Sequence, residues 1–231
     1  LGVYQHVFFD LDHTLWDYDA NASEALFELY DHYQFEKLEV FTKQELVAMF
    51  FEVNYELWDL YNHHRISRAD IRKRRFITIF QKLRVGLEHL PANLEMEYIA
   101  LAPTKNRIFE GAFELLDYLK ENYQLHIITN GFDDIQATKM SSSQLDPYFK
   151  HVITSESSKA RKPNPKIFEV AFDLTGADQF NSIMIGDNLE SDIAGAKRAG
   201  MDHVWFNPNK LVTNVAVQHE ISNLLQLKTI L

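Results

Sequence analysis

From Gly111 to the C-terminus short apolar runs alternate with amphipathic stretches, and this alternation limits the possible fold more than any other feature. Ala112, Leu115, Leu116 and Leu119 mark a helix, and Leu125-His126-Ile127-Ile128-Thr129 marks a strand. A helix is expected around Ile135 to Ser141, a strand at His151-Val152-Ile153-Thr154, and a helix opened by Pro165 with Phe168, Ala171 and Phe172 on one face. Ser182 to Asp187 reads as a buried strand, and Ile193 to Ala199 as a helix closed by Gly200. His203 to Phe206 reads as another strand, and the tail as a helix capped by Ser222. Near the start, Val7-Phe8-Phe9 is one more buried strand, running abruptly into Asp10-Leu11-Asp12. Strand and helix units in alternation build a mostly parallel sheet with helices on both faces.

The expected fold class is therefore α/β and Rossmann-like, with one interruption. Between about Trp16 and Pro103 the apolar spacing is helical throughout, as in Leu46, Met49, Phe50, Val53, Leu57 and Leu60. Ser23 and Thr42 are expected N-caps, Thr42 with Glu45 as a capping box. The segment reads as a bundle of about four helices. It divides the chain into a core of residues 1–15 and 104–231 and an inserted cap of residues 16–103. In open α/β sheets ligands bind at the C-terminal strand ends, where the strand order reverses. An insertion after the first strand is expected to cover that site.

The net charge of −10 argues against binding to nucleic acid or an anionic membrane, and the absence of cysteine excludes a disulfide scaffold and a cysteine nucleophile. Residues 1–9 hold no basic segment and no long apolar run, so no signal peptide is expected. Nowhere do 18 residues pass without a charge, and a cytoplasmic location is the expectation.

Three strands end in polar clusters: Asp10-Leu11-Asp12-His13-Thr14, Thr129-Asn130-Gly131 and Gly186-Asp187-Asn188, with Asp192 five residues after Asp187. Arg161-Lys162-Pro163 precedes a helix. Carboxylates on neighbouring strand ends repel unless a cation or a shared proton neutralises them. Mg²⁺ suits hard oxygen ligands and substrate phosphate. A carboxylate can attack phosphorus, and a second one two residues on can protonate the leaving oxygen and later activate water. Thr129 and the amides after it can bind phosphoryl oxygens, and Lys162 can neutralise their charge. Taken singly, Asp10 and Asp12 can equally cap a turn, Lys162 can be a solvated lysine, and Asp192 can be an acid favoured at a helix N-terminus.

Taken together, and in this order, the clusters resemble the four motifs of the haloacid dehalogenase superfamily. Phe9 to Leu15 is similar to the first, Thr129-Asn130-Gly131 to the second, Lys162 to Phe168 to the third and Gly186 to Ala196 to the fourth. The resemblance implies that Asp10 is the nucleophile and Asp12 the acid/base. It implies that Asp10, the backbone carbonyl of Asp12 and Asp187 hold Mg²⁺, and that Asp192 supports the metal waters or the lysine. Thr129 and Lys162, with Asn130 and Gly131, correspond to the phosphate-binding groups, and the insertion to a helical C1 cap. Leu15 to Asn21, Arg75-Phe76 and Trp205-Phe206-Asn207 are similar to the bacterial pyrimidine-5′-nucleotidase-like subfamily.

The implied activity is hydrolysis of phosphate monoesters through an aspartyl-phosphate. The implied partner is a small phosphorylated metabolite such as a nucleoside 5′-monophosphate. The alternative is a phosphosugar mutase, which shares both aspartates, or a phosphatase of another small phosphate ester. A dehalogenase is disfavoured by Asp12, and a non-catalytic phospho-acceptor by Asp12 and the cap together. Oligomeric state and exact substrate are left open. The resemblance departs at Lys159 and His13, where glycine is usual or frequent; Lys159 is a candidate to enter the site. The basic run Arg65, Arg68, Arg72, Lys73, Arg74, Arg75 reads as a solvated helix face, or as the source of one substrate-binding arginine.

Overall fold

The computed structural model describes residues 4–231; the first three residues of the expected core lie outside it. Six strands form one sheet in the order β3-β2-β1-β4-β5-β6, every pair parallel. They are β1 His6–Phe9, β2 Gln124–Thr129, β3 Phe149–Thr154, β4 Ser182–Gly186, β5 Asp202–Phe206 and β6 His219–Ile221. Among the described residues the α-helices are α1 Tyr18–His32, α2 Lys43–Asn62, α3 Arg68–Lys82, α4 Leu94–Leu101, α5 Ala112–Leu119, α6 Asp133–Ser142, α7 Pro165–Thr175 and α8 Ala194–Arg198.

The chain divides into two compact units, one running up to Tyr18 and resuming at Asn106–Leu231, the other Asp19–Lys105. In the first unit the side chains of β1 alternate between two cores, as a pleated strand requires. Val7 and Phe9 join Leu115, Leu116, Leu119 and Met140 of α5 and α6. Phe8 joins Ile167, Phe168, Ala171 and Ala196 of α7 and α8. Helices thus cover both faces. β1 sits between β2 and β4, with Phe9 level with Ile127 on one side and Ile185 on the other. The strand order reverses at β1, so the C-terminal ends of β1, β2 and β4 meet at one edge.

The second unit is the helical one, built from α2, α3, α4 and most of α1. Leu46, Phe50, Val53, Leu57, Ile71, Phe76, Ile79 and Phe80 are buried. The Thr42–Glu45 capping box forms, and Ser67 and Asp70 form a second one at α3.

Some expectations are corrected. Ser23 caps nothing, because α1 begins at Tyr18, with Asp19 favoured in its first turn. Trp16 and Tyr18 belong to the first unit, not to the insertion. The tail is a 3₁₀ helix, Leu224–Thr229, capped by Asn223 rather than Ser222: the Asn223 side chain accepts from the Leu225 amide at 2.8 Å. β6, three residues long, is too short to leave a periodic signal. The helix expected from Ile193 starts as a π-helical turn, Leu189–Ile193, before α8. Arg75 does not lie on a solvated face. It is buried over the rings of Phe50 and Tyr98, 3.6 Å from Glu95.

Candidate active site

Asp10 follows β1 directly, and its amide donates to Ile185 O at 2.9 Å, which ties it to β4. Its carboxylate and those of Asp187 and Asp192 each offer an oxygen, and these three atoms lie within 4.8 Å of one another. Lys162 enters this cluster from the loop before α7. Its ammonium lies 2.5 Å from Asp10, 2.7 Å from Asp192 and 2.6 Å from Ile128 O, and its residue is 1% exposed.

Several small structural features place these groups. The Asn130 side chain accepts from the Lys162 amide at 2.8 Å and donates to the Lys162 carbonyl at 3.0 Å, clamping the lysine loop to the end of β2. Gly195 lets α8 approach that loop: a Cβ there would lie 3.2 Å from Pro163 Cα and 2.6 Å from the Phe168 ring. Asp192 reaches the cluster from the π-helical turn. A Cβ at Gly186 would lie 2.3 Å from its Oδ2. Both Asp192 oxygens are engaged, Oδ2 by the Asn188 amide at 3.0 Å and Oδ1 by Lys162 and by Ser191 Oγ at 3.2 Å. Asp187 is held more lightly, by Thr14 Oγ1 at 3.3 Å.

The cluster holds three carboxylates and one ammonium, which pairs with Asp10 and Asp192, so with all groups ionised two negative charges stand uncompensated. Burial raises the Asp10 carboxyl to about 7; Lys162 pulls it back and Asp192 pushes it up. Burial, then Asp192 and Asp10, raise Asp187 well above the carboxylate range. Burial alone works against the charge of Lys162, but Asp10 and Asp192 outweigh it and keep the lysine protonated. A hard divalent cation supplies the charge this donor set lacks, so the residues fit one.

Asp12 lies apart from the cluster, paired with α6. Lys139 approaches its Oδ1 to 2.5 Å and Gln136 Nε2 its Oδ2 at 3.0 Å. Burial pushes the Asp12 carboxyl up, yet Lys139 and Gln136 outweigh it and the net shift is downward. Thr129 Oγ1 accepts from the same Gln136 nitrogen at 2.7 Å and from the Gly131 amide at 3.0 Å. The Gly131 N–H, one of the backbone amides expected to bind phosphate, is therefore engaged within the protein, and the Asn130 side chain is spent on Lys162. Neither Gln136 nor Lys139 was anticipated from the sequence. Lys159 is exposed, with φ of 54°, and His13 has φ of 62°. Both non-glycine residues occupy the left-handed region, at a cost of roughly 1–2 kcal/mol each.

Fold and site are those of a Rossmann-like α/β enzyme. The chain belongs to the haloacid dehalogenase-like hydrolases, whose family model matches residues 4–200. It is 33% identical over 217 residues to the pyrimidine 5′-nucleotidase PynA of Streptococcus pneumoniae, spanning 93% of this chain and 89% of that one. It is 29% identical over 228 residues to the pyrimidine 5′-nucleotidase YjjG of Escherichia coli, spanning 97% and 96%. The solved structure of YfnB from Bacillus subtilis bound to magnesium is similar with a TM-score of 0.85 and 28% identity, covering 99% of both chains.

Proposed function

We propose that this hydrolase is a Mg²⁺-dependent phosphomonoesterase that works through an aspartyl-phosphate on Asp10, with nucleoside 5′-monophosphates as its substrate class and the helical unit as its substrate-selecting cap. The observation that carries the reading is the cluster of Asp10, Asp187 and Asp192, with the buried ammonium of Lys162 on Asp10 and Asp192. The names of the two relatives above support the substrate class.

Asp10, Asp187 and the Asp12 carbonyl would hold the metal. Asp192, with both oxygens already engaged, would steady Lys162 instead. Bound there, Mg²⁺ offsets the carboxylate charge and the charge of the phosphoryl group. The chain's own groups then divide the work. An Asp10 oxygen bonds to phosphorus as the bond to the leaving oxygen breaks, and protonated Asp12 gives that oxygen its proton. In the second half Asp12, now ionised, takes a proton from water. The water oxygen bonds to phosphorus, the bond to Asp10 breaks, and inorganic phosphate leaves. Lys162 and the Thr129 hydroxyl face the phosphoryl oxygens throughout. Lys139 favours the ionised form of Asp12, the form that the second half requires; the first half requires a proton on Asp12.

The test is phosphate release from a panel of nucleoside 5′-monophosphates, sugar phosphates and an aryl phosphate. Turnover with Mg²⁺, its loss in EDTA and beryllium fluoride captured on Asp10 are the expected results. Full activity in excess EDTA, or the fluoride on Asp12 or Asp187, would overturn the mechanism. Turnover confined to sugar phosphates would overturn the substrate class.

A further inference from the structure

We infer that Gln136 is a positioning residue whose one side-chain amide both orients Asp12 and makes Thr129 a hydrogen-bond donor toward the phosphoryl group, with Lys139 as a second positioning residue on Asp12. The inference rests on the phosphoryl-transfer reading above; it gives a role to Gln136, which that reading does not use, and adds a positioning role for Lys139.

A hydroxyl has one proton to give and room to accept two. At Thr129 both acceptor places are taken, by Gln136 Nε2 at 2.7 Å and the Gly131 amide at 3.0 Å. Among the described residues no acceptor takes the remaining proton, so it is left for an oxygen of a bound ligand. Thr129 thus presents itself to substrate with its polarity already fixed.

The orientation of the amide follows from Asp12. Gln136 Nε2 also donates to Asp12 Oδ2 at 3.0 Å, and an ionised carboxylate only accepts. Turning the amide over would set its oxygen against that carboxylate. In the orientation adopted, Gln136 Oε1 is buried without a partner. The side chain leaves its own oxygen unsatisfied and spends both N–H groups on Thr129 and Asp12. Room for it comes from Gly131, where a Cβ would lie 2.1 Å from Nε2.

Lys139 stands three residues on, hence on the same helix face. It is buried, 4.5 Å from the Trp16 ring centroid and 5.5 Å from that of Tyr18, and takes the other Asp12 oxygen at 2.5 Å. Each oxygen of Asp12 therefore has its own donor from α6, and only Gln136 also reaches Thr129.

That difference gives the test. Gln136→Met and Lys139→Met keep side-chain length and remove the donors. With Mg²⁺ present, kcat and KM are measured for an alkyl and an aryl phosphate, together with inhibition by inorganic phosphate. Lys139→Met eases protonation of Asp12 but frees its carboxyl to turn from the leaving oxygen. The loss of aim is expected to dominate and to lower kcat on the alkyl ester by about tenfold more than on the aryl ester, a fraction of what general acid catalysis supplies. It should leave phosphate inhibition unchanged. Gln136→Met is expected to show the same leaving-group bias and also to weaken phosphate inhibition by about fivefold, as the loss of one oriented hydrogen bond implies. Gln136→Glu, which replaces the donating amide by a carboxylate of the same size, should behave alike and carries the test if the methionine variant does not fold. Equal losses on both esters, with phosphate inhibition unmoved in the Gln136 variants, would overturn the inference. Failure of the underlying reading looks different: the unmodified enzyme would release phosphate from neither ester.

Discussion

The ammonium of Lys162 lies 2.5 Å from the carboxylate of Asp10, in a residue that is 1% exposed. Solvent cannot take over if either partner is removed. Lys162→Met would leave Asp10 and Asp192 facing each other without a cation. Breaking a buried pair from one side costs ~3–5 kcal/mol. The expected result in urea denaturation is a loss of that size, with Asp192→Asn in the Lys162→Met background recovering part of it. Equal stability of Lys162→Met and the parent protein would show that the carboxylates take up protons instead of needing the lysine.

A close approach sets the position of Asp192. The ideal Cβ of an alanine at Gly186 would lie 2.3 Å from Asp192 Oδ2 and 2.6 Å from its Cβ. The flexible end of the side chain cannot absorb this alone, because the Asp192 Cβ is itself in the way. Gly186→Ala is expected to cost ~1–3 kcal/mol through overpacking and to lower kcat by displacing Asp192 from Lys162. Thermal denaturation and steady-state rates check both effects. Unaltered values for both would mean that the π-helical turn yields without moving Asp192.

The core strands and the carboxylates were legible because polarity changes sharply at strand ends. Val7-Phe8-Phe9 stops at Asp10, and Ile183-Met184-Ile185 stops at Gly186-Asp187. The residues that were not legible are polar ones buried among apolar neighbours. Gln136 and Lys139 share α6 with Met140, and all three are buried. In the sequence a lysine on a short helix reads as solvated, and nothing local announces a carboxylate 127 positions away. Arg75 misled for the same reason. It sits within a run of bases, yet it alone of Lys73, Arg74 and Arg75 is buried, with Glu95 from another helix. Contacts across elements leave no periodic trace, whereas strand ends and capping boxes such as Thr42–Glu45 are written within a few residues.

Asp12 and Asp10 should separate kinetically. An aryl phosphate leaves as a relatively stable phenolate, and a nucleotide leaves as a far more basic alkoxide. General acid–base help is worth ~10²–10⁴-fold. Asp12→Asn should therefore slow the first half-reaction far more for alkyl than for aryl esters. With nitrophenyl phosphate it should give a burst of nitrophenol and then stall, because water is no longer activated. Pre-steady-state release at known enzyme concentration measures this. Equal slowing on both esters without a burst would leave the backbone carbonyl of Asp12 as its main contribution.

Acid stability depends on a histidine cluster away from the site. His126 on β2 is fully buried, with ring centroids 5.4 Å from His6 and 5.5 Å from His151, and its Nε2 lies 3.1 Å from His6 Nδ1. Burial first, then His6 and His151, lower its pKa from 6.5 to about 3. Between those values the unfolded chain binds a proton that the folded chain refuses, so stability falls as pH drops from 6.5 toward 3. Asp10 works in the opposite sense. Its pKa is raised from 3.8 to about 7, so its contribution to stability declines as pH rises through that range. The two slopes overlap, and only a difference between proteins isolates the histidine. His126→Phe keeps an aromatic ring against Phe8, 4.8 Å away between centroids, and removes the titrating group. Urea midpoints measured in EDTA at pH 7, 5.5 and 4.5 should fall less steeply for His126→Phe than for the parent chain. The gap should widen at each step downward. Parallel lines for the two proteins would mean that His126 takes up its proton inside the folded sheet.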